Sequence, residues 1–227
     1  MTGIHKMQSL HRLIVIWLSP TERSVQGYFR DDAMPQSPAL TALLFGLRGC
    51  LVDFGARNNS VDPSPQLTPG AHQALERLHK QAVPCGWIDE TPSTATEQLS
   101  RSLPDWLRPY TSTYSTPWPA PDACWQTLMA LKVNQLDGCV LVSGEPRLLQ
   151  SGLNAGLWTI GLAACGSLCG LSSSQWHALG PQEQAQKRGK ATLQLYALGV
   201  HSVIDHLEAL DECLTDIGQR RLKGEKP

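Results

Sequence analysis

The sequence predicts an α/β protein with a three-layer α/β/α core, in which helices cover both faces of a mainly parallel sheet. Short apolar runs suited to strands alternate with segments whose apolar residues recur at helical spacing. Residues 139–143 form an almost fully apolar run, which is typical of a parallel strand buried on both faces. The intervals between these segments are short, and such alternation favours a parallel sheet.

Each element follows from its local pattern. Strands are expected at residues 42–45, 83–88, 139–143, 158–162 and 202–204. Helices are expected at residues 70–81, 94–103, 122–131, 148–155, 182–198 and 207–222. Asp122 is expected to cap its helix, Gly156 and Gly199 to end theirs, and the serines 172–174 to cap a turn of helix. Residues 111–121 are expected to form a loop.

Composition limits the possible partners and compartments. The 227 residues carry a net charge of −1, which offers no strong field to nucleic acid or to an anionic membrane. The seven cysteines are odd in number and form no CxxC pair, which indicates reduced, buried thiols of a cytoplasmic protein rather than disulfides or a zinc site. The six-residue apolar run Leu13–Leu18 is too short to span a bilayer.

Two regions differ in character. Residues 1–33 mix basic and apolar residues with a polar stretch, and are interpreted as an N-terminal extension or a docking arm. Residues 34–227 contain all the predicted strands and are interpreted as one core domain.

The C-terminal half carries several stretches that resemble a known family. They are Pro119-Ala-Pro-Asp122, Gly152-Leu-Asn-Ala-Gly-Leu-Trp-Thr-Ile-Gly161, Gly199-Val-His-Ser-Val-Ile-Asp205 and Arg221-Leu-Lys-Gly-Glu-Lys-Pro227. A looser match is Leu44-Phe-Gly-Leu-Arg-Gly-Cys-Leu-Val-Asp-Phe-Gly55. These residues resemble the phosphonoacetaldehyde hydrolases, which belong to the haloacid-dehalogenase-type (HAD) hydrolases. The resemblance implies a HAD-like Rossmannoid core.

The family resemblance also implies a reaction. Members cleave a carbon–phosphorus bond with a lysine Schiff base on a cap domain, an aspartate nucleophile after the first strand, and Mg²⁺. In this chain Gly46 stands at the nucleophile position and has no side chain. Arg48 stands where metal is expected and would either repel it or hold a phosphate together with Gly49. Cys50 lies beside Arg48, which is expected to lower the pKa of the thiol and leaves a thiol-based activity open.

The remaining family motifs are altered as well. The Ser or Thr after the second strand is replaced within Gly86-Trp-Ile-Asp89, where Asp89 would repel phosphate. A basic residue before Pro-Ala-Pro is replaced by Trp118, which is expected to pack over the vacated pocket rather than stack on a ligand. After the third strand, Gly144 is a candidate ligand-binding position and Glu145 keeps a carboxylate. An ion pair between Glu145 and Arg48 is expected in preference to a Mg²⁺ site.

The cap domain of the family also lacks a counterpart. Only residues 54–68 lie between Asp53 and Pro69, they contain no lysine, and they are too few for a helical domain. A loop is expected to replace the cap.

Three functional hypotheses follow. The first is a non-catalytic, capless relative that needs no cofactor and binds a phosphate- or phosphonate-bearing small molecule through Arg48. The second is a hydrolase with atypical catalytic residues, which would require Mg²⁺. The third is a scaffold that binds a protein partner on an uncapped face bearing the side chains of Trp87, Trp106 and Trp118.

Overall fold

A computed structural model describes residues 39–55, 66–90, 94–107, 109 and 116–227. Its centre is a five-stranded sheet in the order β2-β1-β3-β4-β5, and every neighbouring pair is parallel. The strands are β1 Ala42–Gly46, β2 Cys85–Ile88, β3 Cys139–Ser143, β4 Trp158–Leu162 and β5 Ser202–Ile204. The predicted fold class is confirmed, and the predicted bounds of β3, β4 and β5 match the observed ones.

Seven α-helices connect or flank the strands within the described residues. They are α1 Ala71–Lys80, α2 Thr94–Ser100, α3 Asp122–Ala130, α4 Pro146–Asn154, α5 Ser173–Ala178, α6 Pro181–Leu198 and α7 Leu210–Leu222, and a 3₁₀ turn at Leu207–Ala209 leads into α7. Ser172 caps α5 through a capping box, as the serine run predicts. Gly199 ends α6 with a φ of 98°, a left-handed conformation in which glycine is favoured.

The prediction differs from the structure at the cap of α3 and at the start of α4. Asp122 is the first residue of α3 rather than its cap, and its carboxylate accepts a hydrogen bond from the Thr116 N–H at 2.6 Å. Helix α4 begins two residues before the predicted Leu148 because Glu145 caps it and Pro146 occupies its first turn.

The alternating side chains of β1 show the three-layer arrangement. Leu43 and Phe45 pack into a cluster with residues of α1 and α7, whereas Ala42 and Leu44 pack into a second cluster with residues of α3 and α4. Both faces of the sheet are therefore buried, which explains the apolar character of the central strands.

The predicted N-terminal extension, residues 1–33, and most of the predicted loop at 54–68 lie outside the described residues. All seven cysteines are free, and all but Cys169 are buried, in agreement with the predicted absence of disulfides. Among the helices of the described ranges, none is long and apolar enough to cross a membrane.

Candidate functional site

The carboxyl ends of β1, β2 and β3 lie side by side and bring the candidate positions together. Gly46 ends β1 opposite Ile88 of β2, and Phe45 is in register with Val142 of β3. In open parallel sheets this edge is the usual place for a site. We refer to the residues that follow these three strands as the β1–β3 edge.

Ser143 occupies the space in front of Gly46. A Cβ atom placed on Gly46 would lie 2.6 Å from Ser143 Oγ and 3.3 Å from both Ser143 Cβ and Leu148 Cδ2. Ser143 is fully buried, and its Oγ accepts a hydrogen bond from the Glu145 N–H at 3.0 Å. The end of β1 thus lacks a side chain, and any side chain added there would require Ser143 Oγ to move.

Arg48 pairs with Asp89. Its Nε lies 3.9 Å from Asp89 Oδ2, and Asp89 also accepts hydrogen bonds from Thr96 Oγ1 at 2.6 Å and from the Glu90 N–H at 3.0 Å. The predicted Arg48–Glu145 pair is therefore wrong. The carboxylate of Glu145 instead accepts from the Arg147 N–H at 3.3 Å, because the first N–H groups of α4 have no partner within the helix.

A second carboxylate faces Arg48. Asp53 follows the β1 loop with a φ of 56° and is partly buried. Burial raises the pKa of Asp53, while the nearby guanidinium of Arg48 opposes that rise. The charge of Arg48 is thus balanced by groups of its own chain.

The glycines of the edge serve close backbone packing. The N–H of Gly49 donates to the carbonyls of Val52 at 2.8 Å and Asp53 at 3.0 Å, so it is used within its own loop. A Cβ on Gly144 would collide with the Gly49 carbonyl oxygen and lie 2.6 Å from Gly166 Cα. The loops after β1, β3 and β4 therefore meet closely, and side chains would not fit at Gly144 or Gly166.

Cys50 is inaccessible. It is fully buried, and its Sγ donates a weak hydrogen bond to the Val142 carbonyl at 3.4 Å. Burial raises the pKa of the Cys50 thiol well above its ordinary value. The expectation that Arg48 lowers this pKa is wrong because desolvation of the thiolate dominates.

The β1–β3 edge does not suit Mg²⁺, the ion that the family resemblance implies. Glu145 is engaged as a helix cap, and Arg48 and Arg147 place guanidinium groups on the same edge. No group of three or more His, Cys, Asp or Glu residues suited to a metal occurs in the part of the chain described. A divalent cation needs oxygen ligands that are free to turn toward it.

Trp118 is buried, and within the described residues Trp87, Trp106 and Trp118 do not form the exposed aromatic patch that would favour a scaffold. Trp118 is 8% exposed and Trp87 is 2% exposed, and they lie in clusters on opposite faces of the sheet. Trp106 stacks on His79 with ring centroids 4.4 Å apart. Strand alternation sends neighbouring residues such as Trp87 and Ile88 to opposite faces, which linear sequence proximity conceals.

The sequence did not predict the roles of three residues at this edge, Ser143, Asp89 and Arg147. From the sequence alone, Ser143 is the end of an apolar strand, and Asp89 is a group that would repel phosphate. Arg147 pairs with Glu90 at 3.1 Å and also donates to the Trp118 carbonyl oxygen. The hydroxyl that ends the otherwise apolar β3 is a signal that could have indicated Ser143.

The chain has the α/β fold of solved structures of HAD hydrolases, which are described below. The curated proteins to which it is similar include phosphonoacetaldehyde hydrolases. The protein from Klebsiella pneumoniae is 36% identical over 109 residues, which are 48% of this chain and 40% of that protein. The protein from Salmonella typhi is 35% identical over the same length. The chain thus matches about 40% of the length of these relatives.

Solved structures support the fold. One crystal structure is 60% identical with a TM-score of 0.80, and the match covers 83% of this chain and 100% of the other. A phosphonoacetaldehyde hydrolase-like protein from Oleispira antarctica has a TM-score of 0.75 at 20% identity, covering 84% and 97% of the two chains. A HAD family hydrolase from Deinococcus radiodurans R1, with bound phosphate and sodium, has a TM-score of 0.55 at 17% identity, covering 79% and 96%. No protein-family model matches the chain.

Proposed function

We propose that this chain is a catalytically inactive relative of the phosphonoacetaldehyde hydrolases, whose folded core is kept for a binding role. The observation that carries the proposal is the contact geometry of Gly46 and Ser143. An aspartate nucleophile requires a carboxylate at the end of β1, and Ser143 Oγ stands 2.6 Å from where even its Cβ would begin.

The other nucleophilic side chains of the edge do not replace the missing aspartate. Cys50 is buried with a raised pKa, so its thiolate is scarce at neutral pH. Ser143 is fully buried, and no His, Lys or carboxylate hydrogen bonds to its Oγ among the described contacts. Nucleophilic catalysis by serine requires such a base.

The charges of the β1–β3 edge also argue against phosphoryl chemistry. Two guanidinium groups there face four carboxylates, of which Asp89 and Glu90 already pair with Arg48 and Arg147. The other two carboxylates are Asp53 and Glu145. An incoming phosphate would have to displace an internal partner before it gained a cation.

We also propose that a short segment takes the place of a cap domain. Val52 forms an antiparallel bridge with Leu67, and the Thr68 N–H donates to the Leu51 carbonyl at 2.9 Å. These bonds join the two ends of the segment, and the fourteen residues 53–66 between them are too few for a helical domain. The Schiff-base lysine of the family has no counterpart in this segment.

We propose that the chain binds a phosphate- or phosphonate-bearing small molecule through Arg48. The Arg48 side chain keeps 20% of its surface exposed, and its pair with Asp89 at 3.9 Å is long enough to be weak. A calorimetric titration with methylphosphonate tests this proposal. Asp89→Asn should strengthen binding by releasing Arg48, and Arg48→Met should abolish it. Unchanged binding in both variants would show that Arg48 does not hold the anion, and no binding by the native chain would leave a protein partner as the remaining form of the binding role.

Turnover is the direct test of inactivity. Purified protein is incubated with Mg²⁺ and phosphonoacetaldehyde, and the release of acetaldehyde and phosphate is followed. We expect no release above buffer. Release that persists in a Cys50→Ser variant and is lost on chelation of Mg²⁺ would instead support an atypical hydrolase, the alternative function.

A further inference from the structure

The edge strand β5 is attached to β4 through a side chain as well as through the backbone. His201, the residue before β5, donates its backbone N–H to the Thr159 carbonyl at 3.1 Å. The Thr159 N–H in turn donates to Nδ1 of the His201 imidazole at 3.0 Å, and Thr159 Oγ1 lies 2.9 Å from the same nitrogen. In a parallel ladder a backbone carbonyl would normally accept the Thr159 N–H, so the imidazole acts as a substitute acceptor.

The use of the imidazole in place of a backbone carbonyl has a structural reason. The carbonyl that the parallel pattern would supply belongs to Gly199, which ends α6 in a left-handed conformation with a φ of 98°. Thr159 is fully buried, so its N–H has no access to water and requires a partner within the protein. Nδ1 of His201 meets this requirement only while it carries no proton.

The surroundings of His201 disfavour a second positive charge. Arg220 of α7 donates from Nη1 to the His201 carbonyl at 2.9 Å, and its guanidinium lies 4.8 Å from the ring centroid of Trp158. The Trp158 and His201 rings are 4.8 Å apart. Burial, and then the charge of Arg220, lower the pKa of His201.

The other neighbours do not offset this effect. β4 contributes Trp158 and Thr159 at this point, which carry no charge. Glu225, beyond α7, is held by Arg220 Nε at 2.8 Å. Cys213 of α7 hydrogen bonds with Ser202, next to His201, and burial raises the pKa of its thiol, which keeps it neutral near pH 7.

We propose that His201 is a pH-sensitive latch, in which the neutral imidazole fastens the start of β5 to β4 and protonation at Nδ1 releases it. Protonation would place an N–H on Nδ1 that can donate to Thr159 Oγ1, but the buried Thr159 N–H then loses its acceptor. It would also place an imidazolium beside the Arg220 guanidinium. The start of β5 and its contact with α7 would loosen together.

The direction of the pH effect follows from the lowered pKa of His201. The folded state favours the neutral ring. The contribution of the neutral His201 ring to folding stability is therefore fully present above the pKa of a free histidine, about 6.5. The contribution is lost as the pH falls from there through the lower folded pKa. The latch therefore opens on acidification.

Amide hydrogen exchange of Thr159, measured by ¹⁵N NMR and corrected for intrinsic rates, tests the latch. Between about pH 7.5 and about pH 5 we expect its protection factor to fall about tenfold, the effect of one lost buried hydrogen bond. The amide of Val142 in central β3 is the internal reference and should change less. An equal change at Val142 would show general destabilisation and overturn the proposal.

His201→Asn is the matched variant. The Asn side-chain oxygen can accept from the Thr159 N–H at the position of Nδ1 but does not titrate, so its Thr159 protection should not depend on pH. The same acid-induced fall in His201→Asn as in the native chain would overturn the latch. So would an imidazole ¹⁵N spectrum showing Nδ1 of His201 protonated at neutral pH.

Discussion

Ser143 Oγ lies 2.6 Å from the point where a Cβ atom on Gly46 would stand, so the last residues of β1 and β3 share one side-chain volume between them. This volume is occupied from the β3 side. Ser143 is further held there by the Glu145 N–H, which donates to its Oγ at 3.0 Å. The loss of the acidic side chain at residue 46 and the presence of a buried hydroxyl at residue 143 are therefore coupled features of the packing.

Substitution at Gly46 should be destabilising unless Ser143 is shortened. Gly46→Ala is expected to lower the free energy of unfolding by about 1–3 kcal/mol, the usual cost of overpacking. The double variant with Ser143→Gly should recover most of that loss, because the two sites are in contact. Urea denaturation measures both.

Gly189→Ala is the control for this pair. A Cβ on Gly189 of α6 would meet nothing within 4 Å, so the substitution should stabilise the chain by about 0.5–1 kcal/mol through helix propensity. Additive effects of Gly46→Ala and Ser143→Gly would contradict the shared volume.

Restoring an aspartate at residue 46 alone should not restore hydrolysis. Gly46→Asp meets Ser143 and also leaves the edge without Mg²⁺ ligands, because Glu145 remains a helix cap. We expect no phosphonoacetaldehyde turnover from Gly46→Asp with or without Arg48→Ala, at any Mg²⁺ concentration. Turnover by either variant would mean that the edge lacks only a nucleophile and can still hold the metal.

Asp53 should make stability depend on pH in an unusual direction for a carboxylate. Its pKa is raised by burial, so it contributes to stability below the pKa of a free aspartic acid, about 4, and this contribution is lost as pH rises through the folded value. Asp53→Asn should therefore be at least as stable as the native chain at pH 7, and Asn tolerates the φ of 56°.

Thermal denaturation across pH measures the effect of Asp53. The advantage of Asp53→Asn should shrink as pH falls toward about 4. A variant that is less stable than the native chain at pH 7 would show that the Asp53 charge interacts with Arg48 more strongly than burial disfavours it.

The cap formed by Glu145 should contribute measurably to α4. Glu145→Ala removes the acceptor of the Arg147 N–H and is expected to cost about 0.5–2 kcal/mol in urea denaturation. Glu145→Asp keeps a carboxylate at the capping position and serves as the control, with a smaller loss. Equal losses in the two variants would argue against capping as the role of this side chain.

The cysteines should differ sharply in reactivity. Cys169 is the one thiol that is not buried, whereas Cys50 is fully buried with a strongly raised pKa. An aromatic disulfide reagent at pH 8 should label native protein first at Cys169, and Cys169→Ser should remove the fast phase. Labelling of Cys50 at a comparable rate, identified by peptide mass, would show that the β1 loop opens.

Much of the fold could be read from local pattern. The runs 139–143, 158–162 and 202–204 coincide with β3, β4 and β5 because buried parallel strands require consecutive apolar residues. Helix caps were predicted less accurately: Glu145 caps α4 and extends it toward its N-terminus, and Asp122 is the first residue of α3 rather than its cap. The start of a helix depends on which side chain is free to accept a hydrogen bond from its first N–H groups.

The sequence by itself determined the α/β class, the strand positions and the absence of an acidic side chain at residue 46, since each follows from residue identity and periodicity along one chain. Only the tertiary structure decided that Arg48 pairs with Asp89, that Cys50 is sealed from solvent, and that Ser143 fills the space before Gly46. These outcomes depend on competition between groups that different strands bring to one edge. Distance and desolvation settle that competition, and neither is encoded in the spacing of residues along the chain.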